Sequence, residues 1–312
     1  MITAAAVVLA ATPAAAQLEP SGAPCQGQLA TTRCSLALQA LASAAPAFGI
    51  VAAGGNPMPG VEGTRGVTLN LVPKTSASLR VRAARVHLPD LGAPPQGERS
   101  LTPVAVELGT ATRLHEGQAT GFGALDLLLE GGILTGTGEG GRTAAVLGVG
   151  GRVALLRESF AAPGAALSGM FRHVGPLRYG ESCMIPACGA GVGQTDFGVD
   201  DFSARLTVGK RVGPVGLLGG AGWDRFATTH GRIAYLGGDG FEPVAATAAA
   251  DVHDSRWSAF VNVSRNLLVA SAVAEVGWMS GGSAVDGYTS GAEGFDPGQG
   301  TLFGSIALRV QL

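Results

Sequence analysis

His253 and Ser255 are the pair in this chain most suited to covalent chemistry. In an extended strand, side chains two residues apart leave on one face, and a base beside a hydroxyl is the minimum for an activated serine. Trp257 shares that face. Against this stands the plain reading, a histidine and a serine met by chance at a loop edge. The other histidines, His87, His115, His173 and His230, are scattered, with no i,i+4 pair and no HExxH. GTGEGGR at 136–142 mimics a phosphate loop, but no GK[ST] follows and no βαβ unit surrounds it, so it reads as a flexible loop. Asp239, Glu242, Asp286, Glu293 and Asp296 could gather a divalent cation, or simply keep their loops solvated. Cys25, Cys34, Cys183 and Cys188 form two close pairs, the mark of disulfides made outside the cytosol. Three connectivities are open, with 25–34 and 183–188 favoured by proximity; neither spacing is a zinc knuckle. No metal or cofactor site is expected.

A larger polar set is spread along the chain. Arg80, Arg82, Arg113, Arg152, Arg172, Arg205, Arg256 and Arg309 fall on the less apolar faces of extended segments, with Glu107, Asp126, Asp224 and Glu275 to face them. Arginine keeps its charge and pairs bidentately with carboxylates. Strands are needed to aim such a set one way. Alternation places them at 47–54, 63–72, 77–88, 102–114, 121–132, 143–156, 166–179, 200–211, 214–227, 252–264, 267–279 and 301–312. In 252–264, Trp257, Ala259, Val261 and Val263 oppose Arg256, Ser258, Asn262 and Ser264. Arg85 interrupts the apolar face of 77–88, and a bulge there would restore the pattern. The connections alternate short and long. Trp223, Trp257 and Trp278 all take the apolar face towards the long-loop end of their strands, the place of an interfacial aromatic belt.

Composition narrows the class. The chain is 46% hydrophobic and 14% charged, and mean hydropathy is +0.30. Beyond the N-terminus no uninterrupted apolar run reaches the roughly 18 residues of a membrane helix. Lipid otherwise admits only closed barrels; a soluble β-sandwich or solenoid is the alternative. Fifty glycines suit turns, bulges and a crowded interior better than helices. A net charge of −2 gives no basic field for nucleic acid. Residues 1–16 read as a signal peptide cleaved after Ala16. Residues 17–45 include an alanine- and leucine-rich stretch expected as a short helix, in the periplasm or plugging a pore, and 46–312 form the β domain.

The final strand, TLFGSIALRVQL, and the rhythm before it resemble bacterial outer-membrane barrel proteins, although Leu312 stands where their last strand usually ends in an aromatic residue. The resemblance implies an all-β, closed antiparallel up-and-down transmembrane barrel of about 12 strands, porin-like, with both termini periplasmic. The arginine set would then line the lumen, either as a closed ionic core or, with arginine in excess, as a narrow passive pore for weakly anionic solutes. A structural or adhesive barrel acting through its long outer loops is the second reading. The third is lipid hydrolysis by His253 and Ser255, as the pair resembles the H-x-S of outer-membrane phospholipase A and lipid A deacylase. Their motif continues with asparagine where this chain has Arg256, and Ala274, Val276 and Trp278 on the next strand offer no orienting group. An autotransporter translocator also sets twelve strands behind a helix, but about 30 mature residues before the barrel leave no passenger. Expected partners are outer-membrane lipid, lipopolysaccharide and the barrel-assembly machinery, for a monomer in the outer membrane of a Gram-negative bacterium.

Overall fold

The structure, a computed structural model, describes residues 17–19, 28–60, 75–91, 97–117, 122–136, 142–180, 193–237, 244–267, 269–282 and 294–311. Two short strands, β1 (Gln17–Glu19) and β3 (Glu98–Leu101), are appended to the wall; the helix is α1 (Gln28–Ala53). The wall strands obey period 2. In β2 (Thr75–Pro89), Leu79, Val81 and Arg85 are exposed while Arg80, Arg82, Ala84 and Val86 are buried. The alternation runs through Arg85 without the expected bulge: Arg85 simply stands outward, opposite Leu302.

The sheet continues through β4 (Val104–His115), β5 (Leu125–Thr135), β6 (Ala144–Leu156), β7 (Gly164–Gly180), β8 (Gly193–Val212) and β9 (Val215–Gly237). After β10 (Val244–Ala249) come β11 (Asp251–Asn266), β12 (Ala270–Met279) and β13 (Thr301–Gln311). Each wall strand pairs antiparallel with the next, and β13 returns to β2 over Leu302–Gln311 against 76–85. Among the described residues this closes a barrel of ten strands. The expected strand at 47–54 is instead the end of α1, so closure is to Thr75–Pro89 and not to the ribbon around Phe48. The expected strand at 63–72 lies outside the described residues.

One end of the barrel carries the tight turns, including Gly213 at φ 60, and the other carries the long connections. Two of those loops are shorter than expected because their flanks are strand: β8 begins at Gly193, and β9 runs to Gly237 before returning as β10. β7, β8 and β9 have 17, 20 and 23 residues, whereas about 9–11 cross the hydrocarbon. Their outer ends therefore stand clear of a bilayer.

The outside is a band of exposed Leu, Val, Ile and Phe, including Leu108, Ile133, Leu147, Leu217, Leu302 and Ile306. Trp257 and Trp278 are exposed on it, and Trp223 lies directly across from Trp257 with its ring edge-on to Phe202. The tryptophans are thus on the wall, not in the protein centre. Burying this much apolar surface in lipid supplies the stabilisation that water would deny it.

Candidate functional site in the barrel lumen

An eight-stranded barrel fills its interior with side chains; ten strands leave a bore. Here α1 occupies it. Cys34–Ala53 has mean hydropathy 1.7 and is apolar enough to cross a membrane, but all of it is buried inside the barrel. The interrupting Ser35, Gln39 and Ser43 hide this run from a search for unbroken apolar residues. Gln39 and Ser43 satisfy each other one turn apart, and the Ser43 hydroxyl also donates to the Gln39 carbonyl at 2.8 Å. A helix apolar on every side has to be enclosed, and the many alanines keep it slim enough for the bore.

The helix enters from the long-loop end. A Cβ on Gly193 would touch Ala37 and one on Gly231 would touch Leu41, both high on the wall; farther in, Phe48 packs against Tyr179 and Phe197, with ring centroids 6.4 and 6.3 Å away. Val86, Leu134, Val146, Val174, Val199 and Phe226 complete this apolar outer half. Cys34 is fully buried at its top; Cys25, Cys183 and Cys188 lie outside the described residues. Gln17–Glu19 pair with Asp251–His253 at the long-loop end of β11, so this early segment does not lie at the periplasmic end with the end of β13, the expected place of both termini.

The helix stops at a layer of arginines. Its last carbonyls lack intrahelical donors and carry the negative end of the helix dipole. Arg82 donates to the Ala52 carbonyl, Arg205 to those of Ala53 and Gly55 at 3.2 Å, and Arg80 to that of Asn56 at 2.7 Å. A strap, residues 54–60, continues toward the tight-turn end. There the Asn56 amide donates to Glu275 at 2.9 Å, and Arg309 donates to the Pro59 carbonyl at 3.1 Å. Gly55 has φ +82 and lies against the Glu275 carboxylate, a place where no side chain fits.

Of the residues expected to line the lumen, Arg80, Arg82, Glu107, Asp126, Arg152, Arg172, Arg205, Asp224, Arg256, Glu275 and Arg309 are buried and Arg113 is half-buried, and ion pairs knit the wall. Arg205 meets Asp224 at 2.5 Å, Arg172 meets Glu130 at 2.8 Å and Asp201 at 3.4 Å, and Arg82 meets Glu107 at 3.4 Å. Asp126 takes Arg113, and Arg152 at 3.5 Å; Arg256 meets Asp254 at 2.7 Å. Glu130, Asp201 and Asp254 are additions to the expected set, though each has inward parity on its strand. With them, among the described residues, seven carboxylates face the eight arginines, and the arginine excess behind the anion preference shrinks to one. Between strap and wall, a cavity beside Pro57, Met58, Ser76, Gly109 and Arg309 has room for about 10 Å³, at most one water.

A sheet closed on itself, apolar outside and charged within, decides the architecture. The fold is that of an outer-membrane β-barrel. Among solved structures, the barrel is similar to the translocator domain of the autotransporter NalP from Neisseria meningitidis (8% identity, TM-score 0.38, covering 80% of this chain and 90% of that one). It is also similar to the outer-membrane protease OmpT from Escherichia coli (11%, 0.41, 80% and 100%) and to the COG4313 outer-membrane channel from Pseudomonas putida F1 (10%, 0.37, 81% and 100%). These likenesses are of fold alone, and the barrel assignment stands on its own closure. No protein-family model and no curated protein matches the chain.

The remaining candidates lie apart from the lumen. His253 and Ser255 share the outer face of β11, opposite Ala227 and Arg225 of β9. Nδ1 of His253 is buried, and among the described residues no hydrogen bond to it orients the imidazole as a base. His173 pairs with Asp200 at 2.6 Å, and His87 with Glu98 and Ser100, on the barrel surface. Asp296 accepts the Gly298 amide at 2.8 Å and closes a turn, while Asp239, Glu242, Asp286 and Glu293 lie outside the described residues. Among the described residues no three His, Cys, Asp or Glu side chains converge as metal ligands.

Proposed function

We propose that the protein is a sealed barrel of the outer membrane of a Gram-negative bacterium, exported by its N-terminal signal and folded by the barrel-assembly machinery. It acts as a structural or adhesive platform through its outer end rather than as a standing pore. The observation that supports this is occupancy: residues 34–60 are buried throughout and take up the bore. The tall outer ends of β7, β8 and β9 give the platform its reach. Disulfides among the four cysteines would fasten helix and outer loops, with Cys34 at the top of the plug. The test is reconstitution of the full chain into a planar bilayer. It should give no conductance steps across about ±100 mV, a range on the order of natural membrane potentials; reproducible steps would remove the platform reading in favour of a pore.

A second reading has its own support. The helix is held at its inner end by hydrogen bonds from arginines, and a charged wall lies behind it. A pore gated by withdrawal of the plug would use that wall as its lining.

A further inference from the structure

We propose that Arg225, Ser255 and His253 form an outer-leaflet site for the phosphate of a lipid headgroup. The three belong to adjoining outward positions of two paired strands: Ser255 lies directly across from Arg225, and His253 across from Ala227, one step farther out. Directly opposed Cβ atoms are about 4.5–5.5 Å apart, so guanidinium, hydroxyl and imidazole can close on one small anion. Arg225 is exposed and makes no ion pair among the described residues. Nδ1 of His253 is buried with no partner among the described residues. The acids at outward positions nearby are Asp200, already engaged by His173, and Asp251, two positions beyond His253; Glu19 holds the register position across from Asp251.

The wall is notched at this point. β12 pairs with β11 only from Ser258, and β1 only as far as His253. Among the described residues, 254–256 therefore border a strand on the β9 side alone. Ser280 closes the bottom of the notch, exchanging hydrogen bonds with the Trp257 backbone at 2.8 and 3.1 Å. Below the notch come Trp223 and Trp257, then Ala259, Val261 and Val263, the lipid-facing band. A cation and a hydroxyl set one step above interfacial tryptophans meet headgroups, while the band beneath meets acyl chains. That continuity favours a lipid phosphate over a free one, since a soluble anion has no use for the apolar floor. Guanidinium bound to phosphate forms paired, charge-assisted hydrogen bonds.

The test uses the full-length protein in detergent micelles, titrated with lipid A bearing its phosphates and with the same lipid dephosphorylated, and read by native mass spectrometry. The phosphorylated form should bind about tenfold more tightly, and Arg225→Gln should erase that difference. Ser255→Ala should weaken it by a few-fold, and Arg265→Gln, at the tight-turn end of β11, should leave it intact. Retained electrophoretic heat-modifiability certifies that each variant is folded. Preference for the phosphorylated lipid surviving in folded Arg225→Gln overturns the site. Displacement of the lipid by inorganic phosphate at equal concentration overturns the lipid as its ligand.

Discussion

Deleting residues 28–60 should turn a silent protein into a conducting one. An α-helix with its side chains is about 10–12 Å across, and α1 with its strap is what fills the bore of the barrel that the pairing of β13 with β2 closes. With them gone, Arg80, Arg82, Arg205 and Arg309 lose backbone carbonyl partners but keep a wall of carboxylates. Water can solvate that ring, and ions can follow. The near balance of arginines and carboxylates predicts weak selectivity, with a reversal potential close to zero in a salt gradient. The measurement is single-channel recording of the refolded deletion beside the full chain. A folded deletion that stays silent would mean that the wall itself collapses shut, and the plug would then not be what seals the lumen.

Arg205→Ala should be the most damaging single truncation. Arg205 reaches Asp224, the carbonyls of Ala53 and Gly55, and the Trp223 carbonyl, and both it and Asp224 are all but fully buried. Removing one partner of a buried pair leaves the other charge uncompensated, at a cost of about 3–5 kcal/mol. The double change Arg205→Leu/Asp224→Leu should recover much of that loss, because no bare charge remains. Urea unfolding from lipid vesicles measures both. Equal loss in the single and double variants would place the damage in packing against the helix and not in the stranded carboxylate.

The wall is legible in the sequence because its signal is local. Alternation in 200–211, 214–227, 252–264 and 267–279 needs no knowledge of neighbours, and it gives Arg205, Arg256 and the three tryptophans the faces they take in the wall. The same parity applied to Glu130, Asp201 and Asp254 nearly balances the lumen. Asp254 is masked by the H-x-S around it, and Asp201 by a strand that begins well before it, at Gly193. Pro46 suggests a helix end, since proline in a helix interior removes a hydrogen bond and marks a boundary. Here the helix carries Pro46 within it and runs on to Ala53. Enclosure by the wall holds it in shape, and enclosure is a long-range property that no window of sequence records. Residues 47–54 therefore mimic a strand, and with them an even count of twelve looks satisfied.

The most direct test of a helix lodged within the wall is a cross-link made in native outer membranes. A Cβ on Gly49 would press against the Phe226 ring, so cysteines at the two positions fall within disulfide reach. The Gly49→Cys/Phe226→Cys protein should oxidise to an intramolecular bridge that shifts its mobility on a non-reducing gel. Gly49→Cys/Gly219→Cys, whose second position faces outward into open space, should not. A folded Gly49→Cys/Phe226→Cys barrel that remains unbridged, with the thiol introduced on the helix open to a bulky water-soluble maleimide, would contradict the plugged lumen.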